Sequence, residues 1–376
     1  AVRNSMRAAA LLVALVVFPR TGDSHTTRLG THAPAARARF STTRSRSTCM
    51  AAGGLSLGPL GMGTWAWGNK LLWGYDPDQD AELQLAFDEA VKGGVRFFDT
   101  GDSYGTGALE GRAESLLGDF RRDLGRSRPR LASQCVFGTK LAVYPWRLTS
   151  GSFVDACRAS LDRMGLDQVE IAQAHWSAQR FQPWQERPLW EGLADCYDLG
   201  LCRAVGLSNF GPQQLDKCLD YMDSRGVPVA LDQVQFSLLS TAPLQSGLID
   251  LCRERGITPI AYSPLALGAL SGKYSLDKLP KGPRGLVIGQ VLKGARELTG
   301  TIEDIARARR RTPAQVAINW AMRKGTVPIV GARSVAQVRD NLGACSFKLS
   351  TAEVAELDAA GRKVRQPATQ NIFMTS

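Results

Sequence analysis

The 376-residue chain carries 46 Lys and Arg against 35 Asp and Glu, a formal net charge of +11, and is 44% hydrophobic, enough for one large core. Residues 1–50 hold eight arginines and one acid, Asp23, and so contribute +7, leaving +4 for the rest, too little for a nucleic-acid footprint. Eight cysteines show no C-x-x-C pair and no metal-ligand spacing, and suit a reducing compartment better than a disulfide scaffold.

The first segment is an expected targeting leader over 1–50. Residues 8–18 form an apolar run after Arg7, too short to span a membrane but fitting the h-region of a secretory signal over 6–20. The following 21–50 stretch is rich in Arg, Ser, Thr and Ala, the composition of a transit peptide. In series the two fit a bipartite plastid leader. A simple secretory signal followed by a linker is the alternative.

The body is expected over 55–362, with a tail over 363–376. A first strand and its loop read over 61–68, and a helix over 80–91 stops at Gly93-Gly94. Residues 95–98 are an apolar β-run that opens into Asp99-Thr100-Gly101-Asp102-Ser103-Tyr104-Gly105. The alternation continues as helix 110–120, strand 133–140, helix 153–164, strand 169–175, helix 189–198, strand 203–207, helix 214–225, strand 229–236, helix 248–255 and strand 258–262. Residues 273–286, rich in Pro, Gly and Lys, read as an inserted loop. Helical sequence resumes near Thr301, and Pro313 suits the first turn of a helix through Arg323. A strand over 327–330, a helix over 335–342 and one more over 351–360 complete the series. Eight strand-then-helix units with short connections predict an α/β fold, a (β/α)₈ TIM barrel with an extra C-terminal helix. No G-x-G-x-x-G follows the first strand, which speaks against a Rossmann domain.

Such barrels carry chemistry at the C-terminal ends of their strands. There the second strand offers Asp99 and Tyr104, the third Lys140 and the fourth His175. A tyrosine with an ordinary pKa of about 10 is a poor acid at neutral pH. A neighbouring ammonium would favour the phenolate, and a carboxylate would hold the ammonium in place.

In that order Asp99, Tyr104, Lys140 and His175 resemble the catalytic set of the aldo-keto reductase superfamily, and the resemblance runs from Leu57 to Leu357. It implies reduction of an aldehyde or ketone by NADPH lying across the barrel mouth. Tyr104 would be the general acid, Lys140 would lower its pKa, Asp99 would orient Lys140, and His175 would position the carbonyl oxygen. It also implies the cofactor contacts. Gly63, Thr64, Trp65 and Asp99 lie at the first two strand ends. Ser208, Asn209 and Gln233 would hold the carboxamide, and Tyr262 would stack on the nicotinamide. Ser263, Leu265, Gly268, Leu270 and Lys273 belong to a pyrophosphate loop, Tyr-Ser-Pro-Leu-x-x-Gly-x-Leu-x-Gly-Lys-Tyr, whose small residues let backbone approach phosphate. Gly331, Arg333, Gln337 and Asn341 surround the start of the eighth helix, where N–H groups favour an anion. Arg333 can fork onto a 2′-phosphate, favouring NADPH over NADH, and Gln337 and Asn341, four apart on one helix face, suit the adenine.

Trp65, Trp67, Trp73, Trp146 and Trp176 cluster after strands one, three and four and are expected to wall a pocket for a flat ring. Residues 63–75, 102–107 and 233–240 look like the plant plastid pyridoxal reductases, which implies pyridoxal as substrate and a role in vitamin B6 metabolism. A general plastid aldehyde reductase, or a redox-sensing regulatory subunit like the β-subunits of potassium channels, is the alternative. The expected partner is a small carbonyl compound. No metal, nucleic acid or membrane is implied for the mature body, and the oligomeric state stays open.

Overall fold

The computed structural model describes residues 50–51, 54–364 and 373–375, so the expected leader lies outside the described residues except for Met50, and so does most of the tail. Eight strands form a closed, all-parallel barrel. They are β1 (Gly61–Gly63), β2 (Phe97–Gly101), β3 (Val136–Leu141), β4 (Val169–Ala174), β5 (Cys202–Ser208), β6 (Val229–Gln235), β7 (Thr258–Tyr262) and β8 (Val327–Gly331). Each pairs with its sequence neighbours, and β8 returns to β1 through Ile329 opposite Gly61. A two-stranded hairpin, Met50–Ala51 with Leu55–Ser56, precedes them. Leu55 and Leu57 share a buried cluster with Phe97, Val136 and Val327, the first residues of β2, β3 and β8. The hairpin therefore plugs the N-terminal mouth, and the other mouth is left for chemistry.

Besides short turns at Lys70–Trp73, Pro129–Ala132 and Ala242–Gln245, the helices are α1 (Asp80–Lys92), α2 (Arg112–Ser127), α3 (Ser150–Met164), α4 (Glu186–Asp198), α5 (Pro212–Ser224), α6 (Leu248–Glu254), α7 (Pro283–Gly294), α8 (Arg296–Arg309), α9 (Pro313–Arg323), α10 (Val335–Gly343) and α11 (Thr351–Arg362). Their ends follow local chemistry. Thr312 and Gln315 form a capping box at α9 with Pro313 in its first turn. Gly165 ends α3 in the left-handed conformation at φ 63°. Most expected elements stand within a few residues of their predicted bounds. The inserted loop is the exception, because α7 begins inside it at Pro283 and α8 starts at Arg296, ahead of Thr301. Glycines at 285, 289 and 294 weaken the helical signal there. A β-carbon on Gly285 would stand 2.0 Å from the Pro280 carbonyl oxygen, so close packing on the preceding turn requires the glycine.

Between barrel and helices the core is aromatic: Phe87 of α1 meets Phe98 of β2 at 4.7 Å between ring centroids, and Phe98 stacks on Phe137 of β3 at 5.5 Å. Full burial of each such side chain is worth roughly 1.5–3 kcal/mol. Among the described residues the cysteines are all free, with Cys135, Cys157, Cys196, Cys202, Cys218 and Cys252 buried and Cys345 exposed.

Candidate active site

The strand ends bring Asp99, Tyr104, Lys140 and His175 together. Asp99 and Lys140 are almost fully buried, at 1% exposure each. Burying two charges is tolerated when they are paired and further hydrogen-bonded, and both conditions hold. Lys140 Nζ donates to Asp99 Oδ2. The other carboxylate oxygen, Oδ1, accepts from Gln233 Nε2 at 2.9 Å and Gln173 Nε2 at 3.2 Å. The Asp99 carbonyl oxygen accepts the Thr64 N–H at 2.9 Å and the Thr64 hydroxyl at 3.1 Å. Lys140 then donates to the Tyr104 phenol oxygen at 3.1 Å.

Gln173 was not singled out in the sequence, yet it steadies Asp99 from inside the barrel. Its room is made by two strand glycines: a β-carbon on Gly138 would lie 2.6 Å from Gln173 Nε2, and one on Gly206 2.7 Å from its Cγ. A glutamine inside a run such as Val-Glu-Ile-Ala-Gln-Ala-His, flanked across the sheet by glycines, is the signal that could have found it.

The electrostatics differ from expectation at Tyr104. Burial, followed by the charges of Asp99 and Asp102, pushes its phenol well above the usual tyrosine value. The expected lowering by Lys140 is thus outweighed, and the phenol keeps its proton, the form a proton donor needs. Burial holds the Lys140 ammonium below the ordinary lysine value, with Asp99 opposing. His175 is pushed well below the ordinary histidine value by burial and by the charges of Lys140 and Arg147, so its imidazole is neutral. Its Nδ1 lies 3.3 Å from Ser103 Oγ.

The loop after β2 is pinned to that after β3. Asp102 accepts from the Ala142 N–H at 3.0 Å and from Arg147 at 2.6 Å, and Arg147 also donates to the Ala142 carbonyl at 2.6 Å.

On the other half of the mouth, Asn209 and Ser263 adopt left-handed backbone at φ 62° and 53°, costly for residues with a β-carbon and concentrated at functional sites. Asn209 donates to Ser208 Oγ at 3.1 Å and to the His175 carbonyl at 3.2 Å, and accepts from the Tyr262 hydroxyl at 3.0 Å. Gln233, expected to hold the carboxamide, turns its amide nitrogen to Asp99. The loop after β7 continues with left-handed Ala266, Leu267 and Gly268, leaving Lys273 exposed.

At the far end of that half, Arg333 donates to the Trp73 carbonyl at 2.7 Å, and its backbone N–H donates to Gln337 at 2.8 Å. The Arg284 guanidinium lies 4.5 Å over the Trp73 ring and donates to the Tyr274 hydroxyl. Burial, then the Arg284 charge, holds Arg333 below the ordinary arginine value. The Arg284 charge thus bears on Arg333, and both guanidinium groups meet Trp73, one through its carbonyl and the other through its ring. Arg284 falls in the stretch read as a loop and was missed for that reason. Gly63 and Trp65 are partly exposed at the end of β1, Gly331 is exposed at the end of β8, and Asn341 is buried on α10. Leu270 is buried, so it supports the loop after β7 from beneath.

The tryptophan wall is only partly built as expected. Trp65 and Trp73 meet edge to face at 5.9 Å. Trp176 stacks at 4.6 Å on Phe373 from the tail, whose neighbour Thr375 donates its N–H to the Asn209 carbonyl at 3.2 Å. Trp146 is 63% exposed and stacks on Tyr144. Trp67 is not a wall residue: it is fully buried, packs on Phe120 and donates its indole N–H to the Ala332 carbonyl at 3.2 Å. The loop after β1 dives beneath the mouth at that point, so the apolar ring joins the core.

Among the described residues no group of three or more His, Cys, Asp or Glu could hold a metal ion, and no helix is long and apolar enough to cross a membrane.

The family model described as "Aldo/keto reductase family" matches residues 59–362. The chain is 52% identical over 323 residues to the chloroplastic pyridoxal reductase of Arabidopsis thaliana, covering 86% of this chain and 88% of that protein. It is 31% identical over 287 residues to an aldo-keto reductase of Mycolicibacterium vanbaalenii, covering 76% and 86%. Among solved structures, a thermostable aldo-keto reductase crystallised with the inhibitor epalrestat matches with a TM-score of 0.63 at 26% identity, covering 80% of this chain and 94% of that one. An aldo-keto reductase from Klebsiella pneumoniae crystallised with NADPH matches the fold with a TM-score of 0.66 at 23% identity, covering 89% and 100%.

Proposed function

The chain belongs to the aldo/keto reductase family, and we propose that this oxidoreductase reduces pyridoxal to pyridoxine with NADPH inside a plastid. The observation that carries the chemistry is the buried relay from Asp99 through Lys140 to Tyr104, set beside a neutral His175. The extent of the likeness to the Arabidopsis protein supports the substrate and the compartment.

The residues present fit the cofactor. Arg333, with the Arg284 charge near it, would meet the 2′-phosphate, the left-handed Ser263, Ala266 and Gly268 after β7 would let a diphosphate approach the backbone, and Ser208 and Asn209 would hold the carboxamide. NADPH, when bound, supplies the hydride. Tyr104 holds a proton on its phenol oxygen and gives it to the substrate oxygen as that oxygen gains charge. Lys140 stabilises the phenolate left behind, and Asp99, fixed by Gln173 and Gln233, stabilises Lys140. His175 orients the carbonyl oxygen, and the neutral ring can do so without adding a second mobile proton. General acid help of this kind is worth roughly 10²–10⁴ in rate.

A pyridine aldehyde is flat and can lie against Trp65, Trp73 or Trp176, where aromatic contact adds about 0.5–1.5 kcal/mol beyond area burial. The test is a carbonyl panel with NADPH oxidation followed by absorbance. Pyridoxal should show a higher kcat/KM than a small aliphatic aldehyde. Pyridoxal 5′-phosphate should be poor, because Arg147, the arginine beside His175, is committed to Asp102. Good turnover of simple aldehydes with none of pyridoxal would leave the reductase and remove the B6 assignment. Tightly held cofactor with negligible turnover throughout would favour a regulatory subunit.

A further inference from the structure

Three consecutive residues of the loop after β2 carry different tasks. Asp102 fastens the loop to Ala142 and Arg147, Ser103 reaches His175, and Tyr104 takes the Lys140 ammonium. The Tyr104 N–H donates to the Gly101 carbonyl at 3.0 Å and the Asp102 N–H to the Lys140 carbonyl at 2.9 Å, so the loop backbone is fixed to both neighbouring strand ends. Neither Asp102 nor Ser103 belongs to the proposed relay, but Ser103 is the one whose side chain touches His175.

A neutral imidazole has one N–H, and which nitrogen carries it is set by the partner of the other. A carbonyl oxygen only accepts, so His175 can hold a substrate only through a ring nitrogen that bears the proton. Among the described residues the hydrogen-bond partner of Ser103 Oγ is His175 Nδ1, at 3.3 Å, so the acceptor there for the hydroxyl proton is that ring nitrogen. We propose that Ser103 is a positioning residue that sets the His175 tautomer: its hydroxyl donates to Nδ1, and Nε2 carries the ring proton as the donor offered to the substrate oxygen. The inference rests on the reading of His175 as the residue that orients the carbonyl. The charged and titratable groups near the ring are Tyr104 from the loop after β2, whose ring centroid lies 5.7 Å away, and Lys140 and Arg147 from β3 and the loop after it; Asp102 is paired with that Arg147. The two cations oppose an imidazolium, and a hydroxyl donating to Nδ1 opposes protonation there as well.

The experiment pairs kinetics with nitrogen spectroscopy on the full chain. [¹⁵N]histidine labelling gives three imidazoles, His25, His32 and His175, with His175→Gln as the assignment control. The wild-type chain should show His175 as the Nε2–H tautomer, and Ser103→Ala should show a mixture. Ser103→Ala should lower kcat/KM for pyridoxal about five- to ten-fold, the scale of one net hydrogen bond, with NADPH affinity unchanged. The acid limb of its pH profile should move upward, because the ring is freer to take a second proton. Ser103→Thr, which keeps the hydroxyl, should restore rate and profile. An Nδ1–H tautomer in the wild-type chain overturns the proposal. So does a Ser103→Ala loss that Ser103→Thr fails to rescue, or a variant matching wild type in rate and pH profile. The tautomer is read without substrate, so it decides Ser103 even where pyridoxal proves to be the wrong carbonyl.

Discussion

The two halves of the barrel mouth are built on opposite plans. On the β2–β4 side, the Asp99 and Lys140 charges find their partners inside the chain: the ion pair is buried, and both Asp99 carboxylate oxygens are engaged. On the β7–β8 side, Arg284 and Arg333 have a backbone carbonyl, a phenol and an indole ring as neighbours, and the Arg284 charge bears on Arg333. The first half is organised before anything binds, which is what a reaction centre requires. On the proposed reading the second keeps positive charge in reserve for the cofactor's phosphate. Substitutions in the first half should therefore act on turnover, and those in the second on binding.

The largest effect should come from the first half. Tyr104→Phe keeps the ring and removes the proton, so turnover should fall about 10² or more while NADPH binding, followed by fluorescence titration, stays nearly intact. Near-normal turnover would take Tyr104 out of the mechanism. Next, Arg333→Ala should weaken NADPH by about 1.5–3 kcal/mol, the scale of a hydrogen bond to a charged group, and NADH much less. Equal losses for the two cofactors would break the assignment of reserved charge to the 2′-phosphate. Arg284→Ala should act in the same direction but less, by about 0.5–2 kcal/mol, because its cation–π contact with Trp73 already engages it. An Arg284→Ala loss that persists undiminished in 1 M salt, where the Debye length is about 3 Å, would mean that packing rather than charge is at stake.

The two halves were also unequally legible. The reaction half could be read because strands end in apolar-to-polar transitions, and the residue at each transition must face the mouth. Asp99, Lys140 and His175 need only that rule. What the sequence hid there was support. Gln173 gains meaning from Gly138 and Gly206 on neighbouring strands, a relation across 35 and 33 residues that no local pattern carries. Ser103 is one polar loop residue among several until the fold sets His175 beside it. The binding half was harder because its second arginine begins a glycine-broken helix that looks like a loop. Trp67 failed for a different reason. Side chains alternate in direction through a strand end, and a tryptophan one turn past β1 can face either the mouth or the helices. Packing against Phe120 decides for the helices.

The cysteines give the molecule a built-in clock. Among the described residues six thiols are sealed in the body, at Cys135, Cys157, Cys196, Cys202, Cys218 and Cys252, and Cys345 is exposed. Burial pushes the Cys202 thiol up to about 12 and Cys135 to about 11, so neither presents thiolate to a reagent while the barrel is shut. Alkylation should thus be heterogeneous in time. Modification of Cys345 reports simple accessibility, whereas modification of the sealed thiols reports how often each part of the barrel opens. Cys135 immediately precedes β3, the strand that carries Lys140, and Cys218 and Cys252 lie on α5 and α6, the helices that follow β5 and β6. Mass spectrometry of timed alkylation, with and without NADPH, would then register on native side chains whether ligand tightens one flank of the molecule or the whole.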